Sequence, residues 1–160
     1  MITLVLGGAR SGKSALAESL IPAHAAATYV ATLHVGDDAD LAARVATHRA
    51  RRPTAWRTLE SGPDLPAQLR ALAGPVLVDS LGPWVATVGA GRASALVDAL
   101  IARAGDTVVV SEEVGLGVHP ASVAGRAFRD ALGTLNQAVA AAADTVVLVV
   151  AGCALTLKGA

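Results

Sequence analysis

With 160 residues the chain has room for one domain with a substantial core, and nothing in its length argues for two. Its 13 basic and 13 acidic residues cancel, so no global field points to nucleic acid or a membrane surface. The lone cysteine, Cys153, excludes an internal disulfide framework or cysteine metal cluster. The longest apolar stretch, Val139 to Ala151, is broken by Asp144 and is too short to span a bilayer; with no signal peptide, the expected location is the cytoplasm.

The first predicted strand, Ile2–Leu6, runs into Gly7-Gly8-Ala9-Arg10-Ser11-Gly12-Lys13-Ser14, which satisfies every fixed position of the phosphate-loop pattern G-x-x-x-x-G-K-[ST]. Glycines let the backbone fold into a nest of N–H groups around phosphate oxygens. A helix predicted over Lys13–Leu20 aims its positive end at the same anion. Lys13 adds a mobile charge for the β and γ phosphates, and the Ser14 hydroxyl suits a Mg²⁺ shell. Strand, loop and helix in this order predict nucleoside triphosphate binding.

Further along, buried strands are expected near Thr28–Thr32, Val76–Asp79, Thr107–Ser111 and Thr145–Ala151, because each is a short, continuously apolar run. Helices are expected over Asp38–Arg51, Pro66–Leu72, Ala93–Arg103 and Val123–Ala143, the last bent or interrupted at Gly133. Trp56–Leu59 suits a short edge strand, and residues 153–158 a final antiparallel one. The alternation predicts a mostly parallel sheet with helices on both faces. Leu81–Arg92 and Glu112–Ser122 are read as loops at the carboxyl ends of strands, the edge where open α/β sheets bind ligands.

Three groups of residues could do chemistry. Asp79 ends a strand where an acid binds Mg²⁺ beside a phosphate loop, although an acid there also serves simply to cap a turn. Glu112 and Glu113 are paired carboxylates at a strand end, either a base or ligand or merely solvated charges. His48 lies in a window, Arg44 to Arg57, with five arginines and no acid. Such neighbours disfavour the imidazolium and leave a neutral nucleophile, while the arginines offer to hold a triphosphate; a lone histidine is otherwise most often a solvated side chain. His24, His34 and His119 form no metal-ligand spacing, and Arg126 and Arg129 read as structural or as phosphate contacts.

Taken in order, these residues resemble the bifunctional adenosylcobinamide kinase and adenosylcobinamide-phosphate guanylyltransferase family of cobalamin biosynthesis. The resemblance runs through Gly7–Ser14, Tyr29–Thr32, Arg44, His48-Arg49, Arg52-Pro53, Trp56, Thr58, Glu60 and Leu77–Asp79. It continues through Glu113–Val118, Pro120, Arg126, Phe128–Asp130, Gly133, Asn136-Gln137 and Ala143-Asp144. It implies a single P-loop domain over residues 1–160 with a RecA-like sheet, assembled as a homotrimer. It implies phosphorylation of adenosylcobinamide with ATP or GTP, then GMP transfer from GTP through a GMP-histidine at His48. Nucleotide contacts are implied at Gly7, Gly8, Ala9, Arg10, Ser11, Gly12, Lys13, Ser14, Ala31, Thr32, Leu33, Arg49, Ala50, Arg51, Glu60 and Asp79, with Mg²⁺ at Ser14 and Asp79 and catalytic roles for His48 and Lys13.

Departures from the family pattern fall elsewhere. Glu112 and Thr87 stand where asparagine is frequent, Thr47 where some relatives have a second histidine, Val85–Ala95 is short, and one residue is inserted near Val35–Asp37. The rival readings are an ordinary small-molecule kinase, with His48 and the arginines binding only acceptor phosphate, and a GTP-dependent switch that engages a protein partner.

Overall fold

The strands form where β-branched and aliphatic residues run without interruption, and the helices where apolar residues recur on one stripe. The computed structural model describes residues 1–33 and 52–159. In chain order these form β1 (Ile2–Gly7), α1 (Lys13–Ser19), β2 (Thr28–Ala31), β3 (Arg57–Glu60), α2 (Leu65–Ala71), β4 (Val76–Asp79) and α3 (Leu81–Val88). A 3-10 turn (Ala90–Arg92), α4 (Ala93–Ala102), β5 (Thr107–Glu112), α5 (Val123–Ala142), β6 (Thr145–Val150) and β7 (Cys153–Lys158) follow. The expected Asp38–Arg51 helix lies outside the described residues.

One seven-stranded sheet runs β3-β2-β4-β5-β1-β6-β7. Every pairing is parallel except β6 with β7, as the turn at Ala151-Gly152 requires. Both turn residues have positive φ, the backbone that matches the twist of a tight hairpin. Period-two alternation sorts the strand side chains onto two faces. Leu4, Leu6, Val30, Val76, Val78 and Val109 meet α2 to α5 on one side. Val5, Tyr29, Leu77, Val108 and Val110 meet α1 on the other.

Two expectations need correction. The segment Leu81–Arg92 is not a loop: it forms α3 and the 3-10 turn, with Leu81, Trp84 and Val85 buried in the core. Pro83 is tolerated because first-turn N–H groups have no partner inside a helix. The long helix α5 is also unbroken at Gly133, where an added Cβ would meet nothing within 4 Å. Its ends are secured by other means. The Ser122 hydroxyl accepts the Gly125 N–H at 3.0 Å, and Lys158 Nζ donates to the Ala140 and Ala141 carbonyls at 3.0 and 2.9 Å.

Candidate nucleotide site

At the carboxyl end of β1, Gly7 leaves no room for a side chain. A Cβ on Gly7 would lie 2.4 Å from Ser11 Oγ and 2.8 Å from the Val149 carbonyl oxygen. Gly12 (φ 95°) precedes α1 in the left-handed region, and Arg10 (φ 57°) is left-handed too. Ser11 N–H donates to the Gly8 carbonyl at 3.3 Å, closing the loop on itself. A brace comes from far along the chain. Gly152 N–H, in the β6–β7 turn, donates to the Ser11 carbonyl at 2.8 Å.

This loop aims Lys13 and Ser14 differently. Lys13 Nζ folds back to donate to the Gly8 carbonyl at 3.3 Å and lies 3.9 Å from Glu112 Oε1. Ser14 Oγ donates across the crevice to Asp79 Oδ1 at 3.3 Å. The other carboxylate oxygen, Asp79 Oδ2, accepts the Tyr29 hydroxyl at 2.5 Å. Burial, followed by the Asp79 charge, pushes the Tyr29 hydroxyl far above its ordinary pKa, so it stays a donor. Over the ring of Tyr29 lies the Arg52 guanidinium, 3.2 Å from the centroid, and Arg52 Nη1 donates to Thr58 Oγ1 at 3.1 Å.

Strand register brings further expected residues to this edge. Ala31 pairs with both Asp79 and Glu60, so the three share one level of the sheet. Thr32 is tied to the end of β4: its N–H donates to the Asp79 carbonyl at 3.4 Å and its hydroxyl to the Ser80 carbonyl. Leu33 follows, half-buried. Gly7–Ser14, Ala31–Leu33, Glu60 and Asp79 thus lie at one edge of the sheet, at the carboxyl ends of β1, β2, β3 and β4. His48, Arg49, Ala50 and Arg51 lie outside the described residues.

Glu112 is more than a solvated charge. Its Oε1 accepts the Ser80 hydroxyl at 2.6 Å and its Oε2 the Gly82 N–H at 3.0 Å, so a residue of β5 caps α3. A Cβ on Gly82 would lie 2.4 Å from that carboxylate and would displace it from the helix end. Asn136 of α5 steadies the same strand end: its amide donates to the Glu112 carbonyl at 3.0 Å and its Oδ1 accepts the Ser111 hydroxyl at 2.6 Å. Glu113 turns away, accepting the Gly115 N–H at 2.7 Å.

Sequence reasoning missed Tyr29, Ser80 and the capping role of Glu112. One signal for Tyr29 was available: a chain with a single tyrosine places it in a strand buried on both faces, where the hydroxyl needs a partner.

The comparisons with known proteins converge. A family model described as cobinamide kinase / cobinamide phosphate guanyltransferase matches residues 3–157. The chain is 42% identical over 171 residues to the bifunctional adenosylcobalamin biosynthesis protein CobP of Pseudomonas aeruginosa, covering 99% of this chain and 98% of that one. It is 37% identical to the bifunctional adenosylcobalamin biosynthesis protein CobU of Escherichia coli, over 99% of this chain and 100% of the relative. With the CobU protein of Salmonella typhimurium the identity is 36%, over 99% and 100%. Among solved structures, an ATPase from a bacterial type III secretion system superposes with a TM-score of 0.53 at 11% identity. That match covers 92% of this chain and 50% of the ATPase, and it speaks for the fold alone.

Proposed function

Because the chain belongs to the cobinamide kinase / cobinamide phosphate guanyltransferase family, we propose that it is a bifunctional enzyme of cobalamin biosynthesis. It phosphorylates the aminopropanol hydroxyl of adenosylcobinamide with ATP or GTP. It then transfers GMP from GTP to the resulting phosphate, giving adenosylcobinamide-GDP and pyrophosphate. The observation that supports this best is the Ser14–Asp79 hydrogen bond directly after the loop that carries Lys13, in a chain of this family.

In the kinase step the backbone N–H groups of Gly7–Ser14 cradle the phosphates, and Lys13 exchanges the Gly8 carbonyl for the β and γ oxygens. Ser14 Oγ and Asp79 Oδ1, 3.3 Å apart, are hard oxygen donors that suit Mg²⁺, and these two would hold it. When bound, the ion neutralises charge building on the transferred phosphoryl group. Little covalent work is left for the protein, so placement of donor and acceptor supplies most of the rate.

In the transfer step the His48 imidazole attacks the α-phosphorus of GTP. A P–N bond forms and the P–O bond to pyrophosphate breaks. An oxygen of cobinamide phosphate then attacks the same phosphorus and the imidazole is released, so one hard displacement becomes two. Arg49, Ala50, Arg51, Ala31–Leu33 and Glu60 complete the nucleotide contacts in this reading. It also places the enzyme in the cytoplasm as a homotrimer; among the described residues no helix is long and apolar enough to cross a membrane. Light scattering on the purified chain should return three times the chain mass.

The deciding experiment is incubation with GTP labelled at the α-phosphate. The protein should acquire an acid-labile, alkali-stable label that His48→Ala abolishes and added cobinamide phosphate discharges. A wild-type protein that phosphorylates cobinamide but never takes up the label is a kinase only.

A further inference from the structure

We propose that Tyr29 is a positioning residue for the Asp79 carboxylate: its buried hydroxyl pins one oxygen, leaving the other turned to Ser14, while Arg52 holds the phenol from above. This rests on the reading of Ser14 and Asp79 as the Mg²⁺ ligands.

The placement follows from strand geometry. Tyr29 pairs with Leu77 across β2 and β4, and Asp79 lies two residues beyond Leu77, on the same face of the sheet. That face packs against α1, which carries Ser14. A phenol lying along the strands from Tyr29 therefore ends at Asp79, and Asp79 bridges it to Ser14 through separate oxygens at 2.5 and 3.3 Å. The ring belongs to the buried apolar cluster that includes Val5, Ala17, Ile21 and Leu77, which phenylalanine would join equally well. Only the hydroxyl distinguishes tyrosine here, and its partner is the carboxylate. A carboxylate free to rotate about its last torsion offers a cation either oxygen or both; one held by a short bond offers a single fixed oxygen. Arg52 lies 3.2 Å above the ring and is anchored to Thr58 on β3, so the phenol is clamped between core and guanidinium.

The test uses the full chain with Tyr29→Phe, which keeps the packing and deletes the bond. Mn²⁺ binding is followed by electron paramagnetic resonance in the presence of the non-hydrolysable guanosine 5′-(β,γ-imido)triphosphate. Mn²⁺ affinity should fall about tenfold or more, while affinity for the nucleotide without metal stays within about twofold. In the kinase assay the Mg²⁺ concentration for half-maximal rate should rise, with kcat near the wild-type value at saturating metal. Unchanged Mn²⁺ affinity overturns the proposal, as does an equal loss of metal-free nucleotide binding. Should Tyr29→Phe fail to fold, Arg52→Met decides by the same readings, with a smaller shift in the same direction expected. A wild-type protein that binds nucleotide equally with and without metal removes the Ser14–Asp79 site and the proposal with it. Tyr29-dependent Mn²⁺ binding in a wild type that turns over no cobinamide sinks the proposed function alone.

Discussion

The Lys13 ammonium holds one loop carbonyl at 3.3 Å and a carboxylate oxygen at 3.9 Å, weak contacts that, in the proposed kinase step, several charged phosphate oxygens at hydrogen-bond distance would replace. Lys13→Met should therefore weaken triphosphate binding by roughly ten- to a hundredfold, the size of a charged hydrogen bond, with little change in folding stability. Calorimetric titration with GTP checks it. Tyr29 yields a different prediction. Its hydroxyl is held protonated above the ordinary value of 10.0, so the folded state keeps a proton that the unfolded chain gives up. The associated stability is intact below about pH 10 and is lost as pH rises beyond it. Urea midpoints taken between pH 8 and 11 should fall more steeply for the wild type than for Tyr29→Phe. At this scale the sequence was legible where residue type and spacing together dictate a backbone, as in Gly7–Ser14. It was illegible where function depends on a partner far along the chain: Asp79 and Tyr29 are 50 residues apart.

Helix α3 was misread for a reason of the same kind. Gly82, Pro83 and Gly89 punctuate the segment as a loop would, and the Ser80 side chain makes no capping bond of its own. The cap is Glu112, delivered by β5, and no local pattern announces it. Glu112→Ala should destabilise the protein by about 1–3 kcal/mol, since it orphans the Gly82 N–H and the Ser80 hydroxyl together. Glu112→Gln keeps one acceptor, for the Gly82 N–H, and turns its amide NH2 to the Ser80 oxygen as a donor, so it should recover part of that loss. Equilibrium denaturation of the two variants measures the difference. Among the described residues the other helices and strands were readable because continuous apolarity and helical periodicity are local, and their ends moved by only a residue or so.

For the molecule as a whole, the alternation of strands and helices predicts a parallel sheet, but not the order in which strands lie side by side. That order places β1 between β5 and β6, so the phosphate loop is flanked by the strand bearing Glu112 on one side and by the closing hairpin on the other. The turn of that hairpin braces the loop through the Gly152 N–H. A chain still being made presents residues 7–14 to the solvent long before residue 152 leaves the ribosome. Until then the Ser11 carbonyl lacks its distant donor, and the nest is supported from the β5 side alone. On the proposed function, grip on nucleotide should therefore be acquired late in synthesis. A nascent polypeptide stalled short of the hairpin should pass over immobilised GTP without being retained, and release of the last two strands should switch retention on.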